Sequence, residues 1–416
     1  MIMQDARRVL VLNCGSSSIK YRLIEPGSGF AWAWGVLERV GQGPGRLVHG
    51  WIDASGSRAS HTEERTYADH VESMDAILDA FAVHGPDLDR QLAVVGHRVV
   101  HGGEEFTAPV VVDGNVLSAI ERLAVLAPLH NPANAAGIRI ARRRLPGVPH
   151  VAVFDTAFHA TLPPAAATYA LPADWRVRYG VRRYGFHGTS HAYVSRRAAR
   201  LLDLPVDQAN IIVLHLGNGA SACAVKGGRS IDTSMGMTPL QGLVMGTRSG
   251  DVDPAISAHL ARVAGLTPEA VEKELNGRSG LSALAGASDL RDIIPRAEGG
   301  DADAELALDV YCYRVRSYVG AYYAALGRVD AIVFTAGVGE NAPLIRERSL
   351  AGLGRLGIEV DGARNYATDD GRVLTPRRIS PDTAPVAVLV VPTDEEHEIA
   401  VEAIVVADGP GVVASG

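Results

Sequence analysis

Six short runs of this sequence are apolar along almost their whole length and then stop at a glycine or a polar side chain. They are "RVLVLN" (8–13), "QLAVVGHRVVHGG" (91–103), "HVAVFDTAF" (150–158), "NIIVLHLGNG" (210–219), "VDAIVFTAGVGEN" (329–341) and "PVAVLVVPTDEE" (385–396). A strand with one face in water alternates apolar and polar residues. A strand that is apolar throughout must be covered on both faces, which calls for helices on either side of a largely parallel sheet. Ala/Leu/Arg-rich helical stretches do separate the runs. The longest, "AELALDVYCYRVRSYVGAYYAAL" (304–326), reads as a buried helix. The expected fold class is α/β. Sheets of this kind bind ligands beyond the carboxyl ends of their strands, so the residues at which each run stops are the first candidates for a site.

Length and charge narrow the choice. A chain of 416 residues exceeds one compact core and implies two or three domains. With 47% hydrophobic and 21% charged residues and a formal charge of -7, neither disorder nor a nucleic-acid partner is expected. No apolar stretch reaches the roughly 18 residues of a membrane span. The run after Arg7 and Arg8 is shorter than the roughly 7–15 residues of a signal peptide core. Three widely spaced cysteines, Cys14, Cys223 and Cys312, suggest neither a disulfide framework nor a zinc ribbon. A cytoplasmic location is expected. The Pro/Ala-rich stretch within 156–180 reads as an interdomain segment or surface loop.

Three turns stand out. The first, Asn13-Cys14-Gly15-Ser16-Ser17-Ser18, is followed by Lys20, one of only three lysines in the chain. The second is His215-Leu216-Gly217-Asn218-Gly219-Ala220-Ser221. The third is Ala336-Gly337-Val338-Gly339-Glu340-Asn341, expected between a strand and a helix start. Each is a plain Gly-rich turn on its own. Together, each after an apolar strand, they read as backbone that approaches phosphate closely. No GxxxxGK[ST] loop is present, and "GLGRLG" (352–357) follows a helical stretch, the reverse of a dinucleotide fingerprint. The first two turns echo each other about 200 residues apart, each as strand, small-residue turn and second strand. That suggests two duplicated domains with a cleft between them.

Arg98 and Arg248 lie in Gly-flanked segments rather than on charged helical faces, which suits planar guanidinium groups to phosphoryl oxygens. His187 and His191 stand four residues apart, a zinc spacing that lacks the glutamate of HExxH. Asp155 and the acids of "TDEE" (393–396) end strands, as Mg2+ ligands or as the acidic first turn of a helix.

Taken together, "LNCGSSSIKY", "GHRVVHGGEEF", "FDTAFH", "YGFHGTSH", the long block "HLGNGASACAVKGGRSIDTSMGMTPLQGLVMGTRSGDVDP", "SDLRDI" and "TAGVGENAP" resemble the acetate kinase family from about residue 9 to about 400. The resemblance implies two actin-like (ribonuclease H-like) domains, each from a duplicated βββαβαβα unit. The first would cover 1–155, joined by a C-terminal helix at about 395–412, and the second 156–394. It implies reversible transfer of the ATP γ-phosphoryl group to acetate, giving acetyl phosphate and ADP, with Mg2+ (Mn2+ substituting) and a homodimer. By resemblance, Asp155, Arg98, Arg248 and His187 are catalytic. Ser16, Ser18, Lys20, His215, Leu216, Gly217, Asn218 and Gly219 meet phosphate. Asp289, Leu290, Arg291, Gly337, Val338, Gly339, Glu340 and Asn341 meet the adenosine side. Val100, Leu129, His130, Phe186 and Pro239, with Arg98, surround the acyl group, and Asn13 and Glu395 hold the metal. The family usually has Asn where this chain has Asp394, and "GLSALAGASDLRD" (280–292) is about one residue shorter than usual. The same residues leave open a propionate or butyrate kinase, and a non-catalytic ATP-dependent switch of the same fold.

Overall fold

The computed structural model describes residues 7–367 and 375–409. The chain forms two compact units, one from the described residues of Met1–Ala157 and Asp394–Gly416, the other from Phe158–Thr393. Residues 1–6, and residues 410–412 at the end of the expected C-terminal helix, lie outside the described residues.

The first unit holds an eight-stranded sheet: β1 (Arg8–Cys14), β2 (Ser18–Glu25), β3 (Phe30–Glu38), β4 (Pro44–Ile52), β5 (Arg58–Thr66), β6 (Leu92–Val99), β7 (Val110–Val111) and β8 (His150–Phe154). Its order is β5-β4-β3-β2-β1-β6-β8-β7. Strands β1 to β5 form an antiparallel meander, and β1, β6 and β8 run parallel. Along β1 the period of two is plain. Leu10, Leu12 and Cys14 face Met74, Ile77 and Ile140 of the helices His70–His84 and Asn131–Arg144, while Val9 and Val11 face Ile399, Ala400 and Ala403 of the helix Glu395–Ala407. Both faces of β1 are therefore dry, as its unbroken apolar run requires. Each fully buried Ile or Leu here contributes about 1.5–3 kcal/mol of transfer free energy. The contact is close: a methyl group on Gly137 would collide with Cys14 Sγ.

The second unit repeats the plan with β9 (Asn210–Leu216), β10 (Ala220–Lys226), β11 (Arg229–Thr233), β12 (Ala331–Thr335), β13 (Arg377–Arg378) and β14 (Ala387–Val390), ordered β11-β10-β9-β12-β14-β13. Here β9 is antiparallel to β10 and parallel to β12, as β1 is to β2 and β6. The sequence echo is thus a structural repeat of hairpin β1–β2 by hairpin β9–β10. The helix Gly188–Leu201 covers one face, with Val194, Ala198 and Ala199 packed over Ile211, Val213, Ala331 and Val333.

Two expectations need correction. The long helix spans Ala302–Leu326 and is buried along one side only: Tyr311, Val315, Val319 and Tyr322 are inside, while Leu306 and Tyr313 are more than half exposed. Its apolar composition hid an amphipathic stripe. The turn at 336–341 is itself helical, Ala336–Asn341, and the expected helix start follows it at Pro343–Leu350.

Candidate functional site

In the first unit the β1–β2 hairpin closes with Gly15 N–H donating to the Ser18 carbonyl at 2.8 Å. Asn13 faces Lys20 across the ladder, and Ser16 and Lys20 are exposed at the strand's carboxyl end. Two asparagines at the start of the helix Asn131–Arg144 organise the neighbouring strand end. The Asn134 amide donates to the Cys14 carbonyl (2.7 Å) and accepts from Val100 N–H (3.1 Å), and Asn131 makes both a donor and an acceptor bond to the His101 backbone. Arg98 and Asp155, at the ends of β6 and β8, form a bidentate pair, with Nε to Oδ1 at 2.9 Å and Nη2 to Oδ2 at 2.6 Å. Burial opposes the Arg98 charge, but Asp155 and then Glu395 outweigh it and hold the guanidinium more firmly protonated than usual. Leu129 is 68% exposed, and His130 precedes the helix start.

Glu395 opens the helix Glu395–Ala407. Burial first, then Asp155 and Glu396, push its carboxyl up to about 7 against the pull of Arg98 and Lys20. Asp394 is the N-cap of that helix, accepting from His397 N–H at 3.1 Å, and it pairs with Arg22 at 2.7 Å. The carboxylate that replaces the usual Asn therefore already has two partners.

Among the described residues no group of three or more His, Cys, Asp or Glu side chains converges on a metal position. The first unit instead offers a half-buried Glu395 whose charge its acidic neighbours penalise, and the Asn13 carboxamide at the end of β1. Such a sparse oxygen set fits a divalent cation that takes one or two protein ligands and completes its shell with phosphate and water.

In the second unit the β9–β10 turn is closed by Gly217 N–H to the Gly219 carbonyl at 3.1 Å and anchored by Gly246 N–H to the Asn218 carbonyl at 3.0 Å. His187 sits at the mouth of the helix Gly188–Leu201 with φ +56, a left-handed conformation that costs a non-glycine residue about 1–3 kcal/mol. Its ring stacks on His215 at 4.2 Å and 23°. Each imidazole is anchored through Nδ1 by a serine: His187 to Ser221 Oγ at 2.9 Å and His215 to Ser190 Oγ at 2.7 Å, the latter continuing to Thr393 Oγ1 at 2.8 Å. Arg248 donates to the Pro239 carbonyl at 3.3 Å and lies against Met245 Sδ. A methyl group on Gly219 would come within 3.7 Å of Arg248 Nη1 and 3.8 Å of His187 Nε2, so both side chains lie beside this turn. Phe186 is buried, its carbonyl accepting from His159 Nε2.

A cavity of about 920 Å³ in this unit is lined by Gly217, Asn218, Asp289, Leu290, Arg291, Gly337, Val338 and Asn341, gathering three separate sequence segments. Leu281, Ile294, Pro295 and Tyr366 add apolar and aromatic wall. A planar base with a phosphate tail matches this mixture of apolar wall and Gly-rich backbone. Asp289 caps the helix Leu290–Glu298 through Arg291 N–H and also pairs with the Arg291 side chain at 2.6 Å. Leu216, Gly339 and Glu340 do not line this cavity. Leu216 is fully buried, and Gly339 packs against Phe334 and the Leu214 carbonyl. Glu340 Oε1 accepts from Ala336 N–H at 2.8 Å and Thr393 N–H at 3.1 Å, joining the ends of β12 and β14 below a left-handed Ala336, with its carboxyl raised by burial. His187 and His191 are not poised as a zinc pair, since both direct a ring nitrogen at the one Ser221 hydroxyl. Sequence reasoning missed Asn131, Asn134, Ser190 and Thr393; Ser190 and Thr393 lie inside quoted motifs, but the partner of each is distant in the chain and no spacing reveals it.

Residues 8–401 match the model of the acetokinase family. The chain is 54% identical over 399 residues to an acetate kinase of Streptomyces coelicolor, with 96% of each chain covered. It is 56% identical to one of Leifsonia xyli subsp. xyli, covering 95% of this chain and 98% of that one. Among solved structures it is similar to Porphyromonas gingivalis acetate kinase, with a TM-score of 0.89, 43% identity and coverage of 96% of this chain and 100% of that one. It is also similar to a propionate kinase from Francisella tularensis, with a TM-score of 0.87, 39% identity and coverage of 95% and 98%.

Proposed function

This chain belongs to the acetokinase family, and we propose that it transfers the γ-phosphoryl group of ATP reversibly to acetate, giving acetyl phosphate and ADP. The observation that carries the reading is the grouping of His187, Gly219 and Arg248 in the same unit as the cavity that Gly217, Asn218, Asp289 and Gly337 line. Phosphoryl transfer asks a protein chiefly to align two oxygens and stabilise charge on three others. Carboxylic acids titrate near pH 4, so the acid arrives already ionised and no general base is needed. Two anions must meet, and Arg248 and His187 are the groups we assign to the transferred phosphoryl, as fixed donors aimed at developing charge. Arg98, held flat by Asp155, serves the incoming carboxylate, and Val100, Phe186 and Pro239 limit its chain length. The Gly15–Ser18 and Gly217–Gly219 turns supply backbone N–H groups and hydroxyls to phosphate. Asn13 and Glu395 would hold the divalent cation, which we take to be Mg2+; when bound, it supplies positive charge to the phosphate oxygens. We further place the protein in the cytoplasm as a homodimer. No helix among the described residues is long and apolar enough to cross a membrane.

The likeness to a propionate kinase gives a second reading some weight, because an apolar pocket separates homologous acids by only about 1–3 kcal/mol per methylene. One assay decides between them. Purified protein, ATP and Mg2+ are mixed with acetate, propionate or butyrate, and acyl phosphate is trapped as hydroxamate. Acetate turnover that falls with chain length supports the reading. A butyrate preference overturns the pocket, and nucleotide binding without acyl phosphate from any acid overturns the enzyme.

A further inference from the structure

Ser221 on β10 is completely buried, and its hydroxyl stands between two imidazoles, 2.9 Å from His187 Nδ1 and 2.8 Å from His191 Nε2. The hydroxyl has one hydrogen, and among the described residues these two rings are its partners, so it donates to one ring and accepts from the other. The far end of the chain sets the direction. His191 is fully buried, and its Nδ1 reaches no hydrogen-bond partner among the described residues. Protonation there would strand a buried N–H, and orphaned buried donors are rarer than under-used acceptors. The hydrogen of His191 therefore sits on Nε2 and is donated to Ser221 Oγ. Ser221 in turn donates to His187 Nδ1, and His187 is left with its hydrogen on Nε2, an atom 3.8 Å from where a Gly219 methyl would stand.

We propose that Ser221 and His191 are positioning residues that hold His187 as its neutral Nε2–H tautomer, so that the ring offers a donor rather than a lone pair to the transferred phosphoryl group. The proposal rests on the assignment of His187 to that group. Burial, together with His159 and His215 at ring distances of 5.6 and 6.2 Å, pushes His191 well below the ordinary imidazole range and keeps it neutral. The helix start at Gly188 and the stacked His215 ring fix the plane in which His187 lies.

The tautomer can be read without turnover. In the full-length protein labelled with 15N-histidine, bare and protonated ring nitrogens resonate far apart, and a His187→Gln difference spectrum assigns the signals. The expected spectrum has His187 Nε2 protonated and Nδ1 bare. Ser221→Ala and His191→Phe are expected to give a tautomer mixture and a kcat lower by about 10–100-fold, with KM for ATP and acetate changed by less than about threefold. Ser221→Thr, which keeps the hydroxyl, and His191→Gln, which keeps an N–H at the reach of Nε2, are expected to recover the tautomer and most of the lost kcat. A protonated Nδ1 in the native protein, or an unchanged tautomer or unchanged kcat in Ser221→Ala, overturns the proposal. Full turnover in His187→Gln instead overturns the assignment of His187 to the phosphoryl group, and the spectrum still decides the tautomer.

Discussion

Arg248 combines burial with weak pairing: a carbonyl and a thioether sulfur are its neighbours, and burial lowers its pKa. Our proposal assigns this cation to the transferred phosphoryl group. Arg248→Ala should lower kcat by about 100- to 1000-fold, the roughly 2.7–4 kcal/mol that one transition-state donor supplies, with a smaller change in KM for ATP. Steady-state kinetics with acetate checks it, and Arg248→Lys should recover little, because an ammonium lacks the planar fork. Glu340 acts on stability instead. All its bonds fall on Oε1, so Glu340→Gln should be tolerated, whereas Glu340→Ala strands two N–H groups at about 1–3 kcal/mol each. Denaturant unfolding of the two variants separates the cases. That Arg98 and Arg248 lie off charged helical faces was legible in the sequence from their glycine neighbours. Ser190, Asn131 and Asn134 were not, because a serine or asparagine declares its partner only once the fold brings that partner near.

Among the elements, the helix Asn131–Arg144 depends on the absence of a side chain at Gly137. Gly137→Ala would improve helix propensity by up to about 1 kcal/mol, yet it drives a methyl against Cys14 Sγ and Cβ. Overpacking of a filled core costs about 1–3 kcal/mol, so a net loss of stability is expected, with the Gly15–Ser18 turn after β1 displaced. A lower thermal midpoint that ATP binding partly restores would bear this out. At the helix Glu395–Ala407, Asp394→Ala should cost about 1 kcal/mol through the lost cap, and Asp394→Asn, which keeps the cap and loses only the Arg22 charge pair, should cost less. The strands read most easily from sequence were β1, β6, β8, β9, β12 and β14, because a strand covered on both faces has an unbroken apolar signature. Strand β5 escaped notice for the opposite reason. It is an edge strand of alternating exposure, rich in Arg, Glu and Thr, and such strands look like loops. The long helix misled because an Ala-rich polar face differs little from an apolar one.

For the molecule as a whole, buried imidazoles dictate how stability varies with pH. Burial lowers His159 to about 4, and His97 and His191 also fall well below the ordinary value. Below pH 6.5 the unfolded chain takes up protons that these folded sites refuse. The histidine contribution to stability is therefore complete above about pH 6.5 and is lost as pH falls toward 4, with His159 alone accounting for about 3 kcal/mol, while Glu395, raised to about 7, acts in the opposite sense between about pH 4.5 and 7. Urea unfolding at several pH values should show this slope, and His159→Gln should flatten it for the second unit. The two-unit architecture was legible from one pair of similar turns, and the common strand order explains why they were similar. The same architecture has a consequence for biosynthesis. The helix that seals Val9, Val11, Val94 and Val151 is encoded after the whole of residues 158–393. At about 5–20 residues per second, the ribosome leaves one face of the first sheet uncovered for tens of seconds after its strands have emerged. During that interval the second unit is still being synthesised, since its strand β14 emerges immediately before the helix, and the nascent first unit is a natural client for chaperones.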